Sequence, residues 1–326
     1  MDNRTSNCSI SSLGSLSSLI AESSYWYFFS AIVALLLFID LYVTDHRRGK
    51  ITLKASLIWS GVWILTALLF NLFIFIYMED GHQKAIEFLT GYIIEKSLSV
   101  DNLFVFLMIF SIMDVKPENQ PHVLKWGIIS AVVFRVIFIL AGVTLINLFE
   151  PVIYVFAVIL LLAAYKMAFG GDQKIDVENN WLLKIARKYF KLNTTYEGKR
   201  LFIKENHKIY VTTTFLALLL IESSDIVFAV DSIPAIIAIT KDTFIIISSN
   251  IFAILGLRAL YFALAGLIDL FVYLKYGVSI VLFYVGIKML VSDFYKIPTE
   301  LSLLIIIVVL GGSILLSLIK RKRFTN

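Results

Sequence analysis

Five carboxylates and one lysine stand well inside two long, largely apolar stretches of this chain. Glu95, Lys96 and Asp101 fall within the run 86–112, and Glu222, Asp225 and Asp231 within the run 211–239. Each run is long enough to cross a bilayer, which takes roughly 20 apolar residues as a helix. A charge near the bilayer centre costs roughly 2.5–3.5 kcal/mol on insertion scales. Six such groups are affordable only if they face a polar cavity and one another. Helical spacing says which converge. Glu95, Ser99 and Asn102 recur at i, i+4 and i+7, along one face. Ser97 and Asp101 share a neighbouring face. Glu222 and Asp225 stand at i, i+3, and Ser224 and Asp231 at i, i+7, with Ser232 beside them.

Every one of these acidic, amide and hydroxyl groups offers oxygen, and neither cluster contains Cys or His. Hard oxygen donors suit Mg²⁺, Ca²⁺ or Mn²⁺ and disfavour Cu(I) or thiolate-bound Zn²⁺. The expected metal ligands are Glu95, Asp101, Asn102, Glu222, Asp225 and Asp231, supported by Ser99, Ser224 and Ser232. Two readings stay open for the acids. Lys96, Arg135 and Arg258 neutralise three of them as internal ion pairs, or a bound metal or protons neutralise the remainder. The arginines are the natural structural members, because a guanidinium holds a carboxylate bidentately. Lys166 and Lys288, near span ends, are expected to snorkel. Pro234 follows Asp231 within an apolar run. It removes the hydrogen bond to Val230 and either kinks the helix or breaks it, freeing carbonyls beside the acids.

The elements that carry these residues repeat. Asp101 and Asp231 lie 130 residues apart, Arg135 and Arg258 lie 123 apart, and Lys166 and Lys288 lie 122 apart. In both halves a carboxylate precedes Val-Asp-(Asn/Ser). Residues 86–169 and 211–291 therefore read as two three-helix units, and an odd helix count turns them upside down relative to each other. Inverted repeats place substrate sites at their interface near the midplane.

Around the repeats, composition sets the class. The 326 residues are 59% hydrophobic and 16% charged, with a mean hydropathy of +0.85. Soluble domains run nearer a quarter charged. Apolar runs at 25–43, 55–77, 86–112, 124–147, 152–169, 211–239, 243–268, 277–291 and 300–319 predict an all-α, polytopic membrane protein of about nine transmembrane helices. The formal charge of +5 does not point to nucleic acid, because the basic residues cluster between spans. With the N-terminus outside, twenty Lys and Arg fall in inner segments and four in outer ones. That asymmetry predicts an inner-membrane protein with a cytoplasmic C-terminus. The expected organisation is a polar tail at 1–24, a membrane domain at 25–320 interrupted by a cytoplasmic loop at 170–208, and a basic tail at 321–326. The loop is expected to hold an amphipathic surface helix. Asp40 is expected at the inner interface. Cys8 is the single cysteine, which excludes an intrachain disulfide or thiolate cluster.

At these residues the chain resembles the TerC/Alx family of integral membrane proteins. The likeness rests on Glu95-Lys-Ser-Leu-Ser-Val-Asp-Asn-Leu-Phe-Val-Phe106 and Glu222-Ser-Ser-Asp-Ile-Val-Phe-Ala-Val-Asp-Ser-Ile-Pro-Ala235. Phe252-Ala-Ile-Leu-Gly-Leu-Arg258 and Asp40-Leu41 also fit. The resemblance covers roughly residues 28–320. It implies a nine-helix transporter-like fold and, for several members, export of Mn²⁺; other members are named for tellurite resistance.

The expected function is therefore export of a divalent metal, with Mn²⁺ as substrate and protons as the coupling ion. Like-charged acids in one cavity disfavour ionising together. The alternative is a tellurite-resistance or envelope-stress scaffold without transport. No tightly bound cofactor is expected. Neither is an enzyme, since the chain has no HExxH, no nucleophile beside a base and no phosphate-binding glycine loop.

Overall fold

A computed structural model describes residues 24–43, 52–149, 151–169, 188, 191–193, 198, 200–205, 208–265, 273–291, 294–295 and 297–324. The tail at 1–23 lies outside the described residues. So does most of the 170–208 segment, where a surface helix was expected, and so do the side chains of Asp101 and Asp231.

Two compact units divide at Asp45. The first carries one helix, α1 (Ser24–Tyr42), which ends in a π-helical turn, Ile39–Val43, that contains Asp40.

The second unit carries the remaining elements. These are α2 (Leu53–Tyr77), α3 (Gly81–Ile112), α4 (Gln120–Leu148), α5 (Val152–Phe169), α6 (Thr213–Ile237), α7 (Thr243–Ile254), α8 (Leu257–Ala265), α9 (Leu274–Leu290) and α10 (Thr299–Phe324). Three short strands precede α6: β1 (Lys191–Asn193), β2 (Phe202–Glu205) and β3 (Lys208–Thr212). β3 is central, parallel to β1 and antiparallel to β2. The sequence reading expected no strands here. Their pattern is short and alternating, and hydropathy tuned to membrane spans does not register it.

Among the described residues, α1, α2, α4, α5 and α10 are long and apolar enough to cross a membrane, and α7 with α8 adds a sixth if the bent pair is one span. The chain is thus an all-α, multi-pass membrane protein. α3 and α6 have the length, at 32 and 25 residues, but carry the charges. α9 has 17 residues. The surface follows the same logic. Large apolar side chains such as Leu65, Leu69, Phe75, Val133, Ile137, Leu162 and Leu315 are exposed on these helices, where lipid is their solvent.

α3 and α6 are the inner helices. One apolar cluster joins Leu103, Val105, Phe106, Ile109 and Phe110 of α3 to Leu216, Ala217, Leu220 and Ile221 of α6. A second joins Ile94 and Leu98 of α3 to Ala235 of α6, to Ala157, Leu160 and Ala164 of α5, and to Val278, Val281, Leu282, Val285 and Met289 of α9. Along α6 the polar residues 222–232 fall between the two clusters. α5 packs chiefly on α9, α3 on α7 and α6, and α4 on α6.

The interruption of the backbone is not where Pro234 predicts it. α6 runs through Pro234 to Ile237 without a break. Transmembrane helices tolerate proline because local adjustments re-satisfy the freed groups. The break comes instead between α7 and α8, which meet at 42°. α7 is only 12 residues long, about 18 Å by helix rise, against a hydrocarbon core of about 30 Å. Gly256 makes the corner with φ +78°. A Cβ there would lie 2.3 Å from Trp63 Cδ1 and 2.8 Å from Trp63 Cβ. Both facts demand glycine. Gly256→Ala should therefore destabilise by more than the ~1–3 kcal/mol of a left-handed non-glycine residue alone, read as a lowered thermal unfolding midpoint in detergent. An unchanged midpoint would show that this corner does not need its φ.

Candidate functional site

α3 and α7 run side by side in register, held by three polar ties. Lys84 Nζ lies 3.1 Å from Asp242 Oδ2, and Asp242 caps the start of α7 by accepting from the Phe244 and Ile245 amides. Eleven residues along α3, Glu95 Oε2 accepts from Asn250 Nδ2 at 3.1 Å. The next residue, Lys96, donates to the carbonyls of Ala253 and Leu255 at 3.1 and 3.4 Å. Close approach is possible because Gly91 faces Ser249, whose Oγ would be 2.9 Å from an added Cβ. Small residues let membrane helices approach in this way. Every residue of α7 from Phe244 to Ile254 is buried.

The acids meet on Arg135 of α4. Its Nη1 pairs with Glu95 Oε1 and donates to Ser232 Oγ at 3.2 Å. Its Nη2 lies 3.2 Å from Asp225 Oδ1. One guanidinium thus ties α4 to α3 and α6, with Arg135 at 1% exposure and Glu95 at 0%. Glu222, three residues before Asp225, bonds Ser130 of α4 at 2.5 Å. Gly127 and Ser130 line one side of α4 at i, i+3, and Gly127 leaves ordinary contact room for Glu222 Oε1.

Several buried oxygens keep acceptor capacity. Glu222 Oε2, Asp225 Oδ2, Ser99 Oγ and Asn250 Oδ1 have no hydrogen-bond partner among the described residues. Buried polar atoms are paired nine times in ten or more, so orphaned carboxylate oxygens in one network are informative. They are acceptors only, and they suit a cation or a proton-bearing group. Among the described residues no group of three or more His, Cys, Asp or Glu is placed to hold a metal ion.

The chain as a whole is similar to known proteins. The profile of the family described as "Integral membrane protein TerC family" matches residues 80–325. The chain belongs to the TerC family. A relative in Escherichia coli (strain K12), named "Putative membrane-bound redox modulator Alx", is 43% identical over 286 residues, covering 85% of this chain and 89% of its own. "Uncharacterized membrane protein STKORF319" of Myxococcus xanthus is 43% identical over 303 residues, 93% of this chain and 94% of its own. A membrane protein of Rickettsia bellii is 40% identical over 296 residues, 91% and 97%. No solved structure matches.

Set on the TerC chain, the expected site divides. Glu95, Asp225 and Ser232 are brought together by Arg135, and Glu222 stands one turn away. Ser99 and Asn102 are buried on α3. Ser224 instead bonds the Leu220 carbonyl of its own helix at 2.9 Å. Arg258 is buried on α8. Asp101 and Asp231 lie on α3 and α6, with side chains outside the described residues. The two lysines expected to snorkel differ. Lys166 is exposed, but Lys288 is buried and donates to Ser302 of α10 at 3.0 Å. The α10 helix covers it. Asn250 and Ser130 were missed. Asn250 had a signal, the polar run Ser248-Ser249-Asn250 inside an apolar segment. Ser130 had none.

Proposed function

We propose that this TerC-family protein exports a divalent metal ion across the inner membrane, with Mn²⁺ as the best-fitting substrate. One observation carries the reading. In the described network two buried carboxylates, Glu95 and Asp225, share a single guanidinium, a third, Glu222, accepts from Ser130 one turn away, and Glu222 and Asp225 each keep an oxygen without a donor among the described residues. A substrate cation or protons would supply the balancing charge. Oxygen-only donors select hard divalent ions. Asp101, Asn102 and Asp231 would complete the ligand set from the same two helices.

The helix pairing supports the two-repeat reading. Exchanging α3 with α6, α4 with α7 and α8, and α5 with α9 maps the main contacts onto themselves. In inverted repeats the shared axis runs through the substrate site, and here the polar network lies on the pair α3 and α6.

The Alx relative's printed name favours a second reading, a non-transporting membrane component that acts on redox state or envelope stress. With one cysteine in the chain, that role would have to pass through partners, since dithiol exchange needs two thiols. Inverted vesicles separate the two. Vesicles containing the protein should take up Mn²⁺ into the lumen while protons leave it, faster with a preset outward proton gradient. Uptake equal to that of vesicles without the protein would reject export. Uptake that ignores the pH gradient at fixed membrane potential would reject proton coupling and keep the metal site.

A further inference from the structure

The break between α7 and α8 already holds a cation, and it is part of the chain. α7 ends at Ile254, so its last carbonyls have no following helical N–H of their own. Such an end carries the negative pole of the helix. The ammonium of Lys96 sits on two of those carbonyls, Ala253 at 3.1 Å and Leu255 at 3.4 Å. Both residues are buried, at 0% and 1% exposure. Lys96 reaches them from mid-α3 across 157 residues of chain. Its ammonium ends on the carbonyls of two buried residues, so snorkelling does not explain it.

The surroundings make this a built seat and not a chance contact. Gly256 turns the chain away at φ +78° against Trp63, which fixes where the Leu255 carbonyl sits. The neighbouring Glu95 holds Asn250, one turn earlier on α7. The adjacent pair Glu95 and Lys96 thus grips the last turn of the half-helix by an acceptor and a donor. Interrupted helices whose carbonyl ends coordinate a monovalent cation are a recurrent arrangement. Two desolvated carbonyl oxygens at a negative helix end are ligands for an alkali ion, and the geometry suits an ammonium equally.

We propose that the α7 end is a monovalent-cation seat that Lys96 fills from within, so that a small alkali ion, Na⁺ first, enters when the ammonium is removed. Lys96 is then a positioning residue that holds the half-helix. It is not a ligand of the transported ion. The wild-type chain needs no external alkali ion for its fold, because that cation is covalently supplied.

The test is thermal unfolding of purified full-length protein in NaCl, KCl and choline chloride at equal ionic strength. Wild type and Lys96→Arg should unfold at the same temperature in all three. Lys96→Met should unfold earlier in choline chloride and recover by several degrees, saturably, as Na⁺ replaces choline, the signature of a ligand binding the native state. Lys96→Gln keeps a donor without the charge and should respond likewise with smaller amplitude. Midpoints for both neutral variants that do not depend on the cation would overturn the proposal, whether low or equal to wild type. So would failure of both to fold in saturating NaCl. If Lys96 merely neutralises an acid, Lys96→Met should be restored by Glu95→Gln in choline chloride instead, and that result also overturns it. Stability is the readout, so failure here is distinguishable from failure of metal export.

Discussion

Arg135→Ala is expected to lose most of the folded protein from the membrane. The guanidinium is shared by Glu95 and Asp225 and also donates to Ser232. Removing it leaves two buried carboxylates without their cation, with only neutral donors such as Asn250 and Ser232 beside Glu95 among the described residues. Breaking a buried pair from one side costs on the order of 3–5 kcal/mol in soluble proteins, a large share of the ~5–15 kcal/mol that separates folded from unfolded. Arg135→Lys should rescue only in part. A lysine ammonium is a point donor, and it does not present two forked N–H groups to acids on different helices. The decisive variant removes all the charge together, as Arg135→Met with Glu95→Gln and Asp225→Asn. Replacing a whole buried ion network by neutral groups of similar volume is often tolerated, so folded protein should return while transport does not. Size-exclusion profiles of a fluorescent fusion measure this directly. Arg135→Ala protein that is abundant, monodisperse and inactive would move Arg135 out of the scaffold and into the transport step.

The second large effect concerns Asp225 and Glu222. Each has one oxygen engaged, by Arg135 and Ser130, and one without a partner among the described residues. Asp225→Asn and Glu222→Gln keep shape and oxygen but remove the charge that balances a divalent substrate. Mn²⁺ uptake into inverted vesicles should fall by about 100-fold or more. That exceeds the 10–100-fold typical of losing a residue that only orients a metal ligand. Ser224→Ala is the control. Ser224 lies between them in sequence, yet its hydroxyl is spent on the Leu220 carbonyl, so uptake should stay near wild type. Uptake is normalised to folded protein in each case. If Asp225→Asn transports like Ser224→Ala, Asp225 belongs to the Arg135 scaffold alone.

The sequence by itself determined the solvent of this protein and the residues that conflict with it. Long apolar runs need a bilayer wherever they fold, and the cost of charge in hydrocarbon is a local property of Glu95, Asp101, Glu222, Asp225 and Asp231. Helical periodicity was enough to put Glu95, Ser99 and Asn102 on one face. It also showed Arg135 to be a natural partner, because a permanent buried cation has few other uses. The tertiary structure alone decided which acid meets which base. Arg135 selects Glu95 and Asp225 from residues 40 and 90 positions away, and that choice depends on how three helices rotate and cross, which no local spacing encodes. Pro234 shows the same limit. Its missing N–H is a fact of sequence, but whether a helix breaks there depends on neighbours that re-satisfy the backbone, and α6 continues to Ile237. The break at Gly256 exists because Trp63, nearly 200 residues earlier, fills the space a side chain would need. Lys166 and Lys288 read alike along the chain, and only the packing of Ser302 over one of them separates an exposed lysine from a buried one. Lys96, legible only as a charge to be neutralised, finds backbone carbonyls. A carbonyl becomes an available ligand only where tertiary contacts have interrupted a helix.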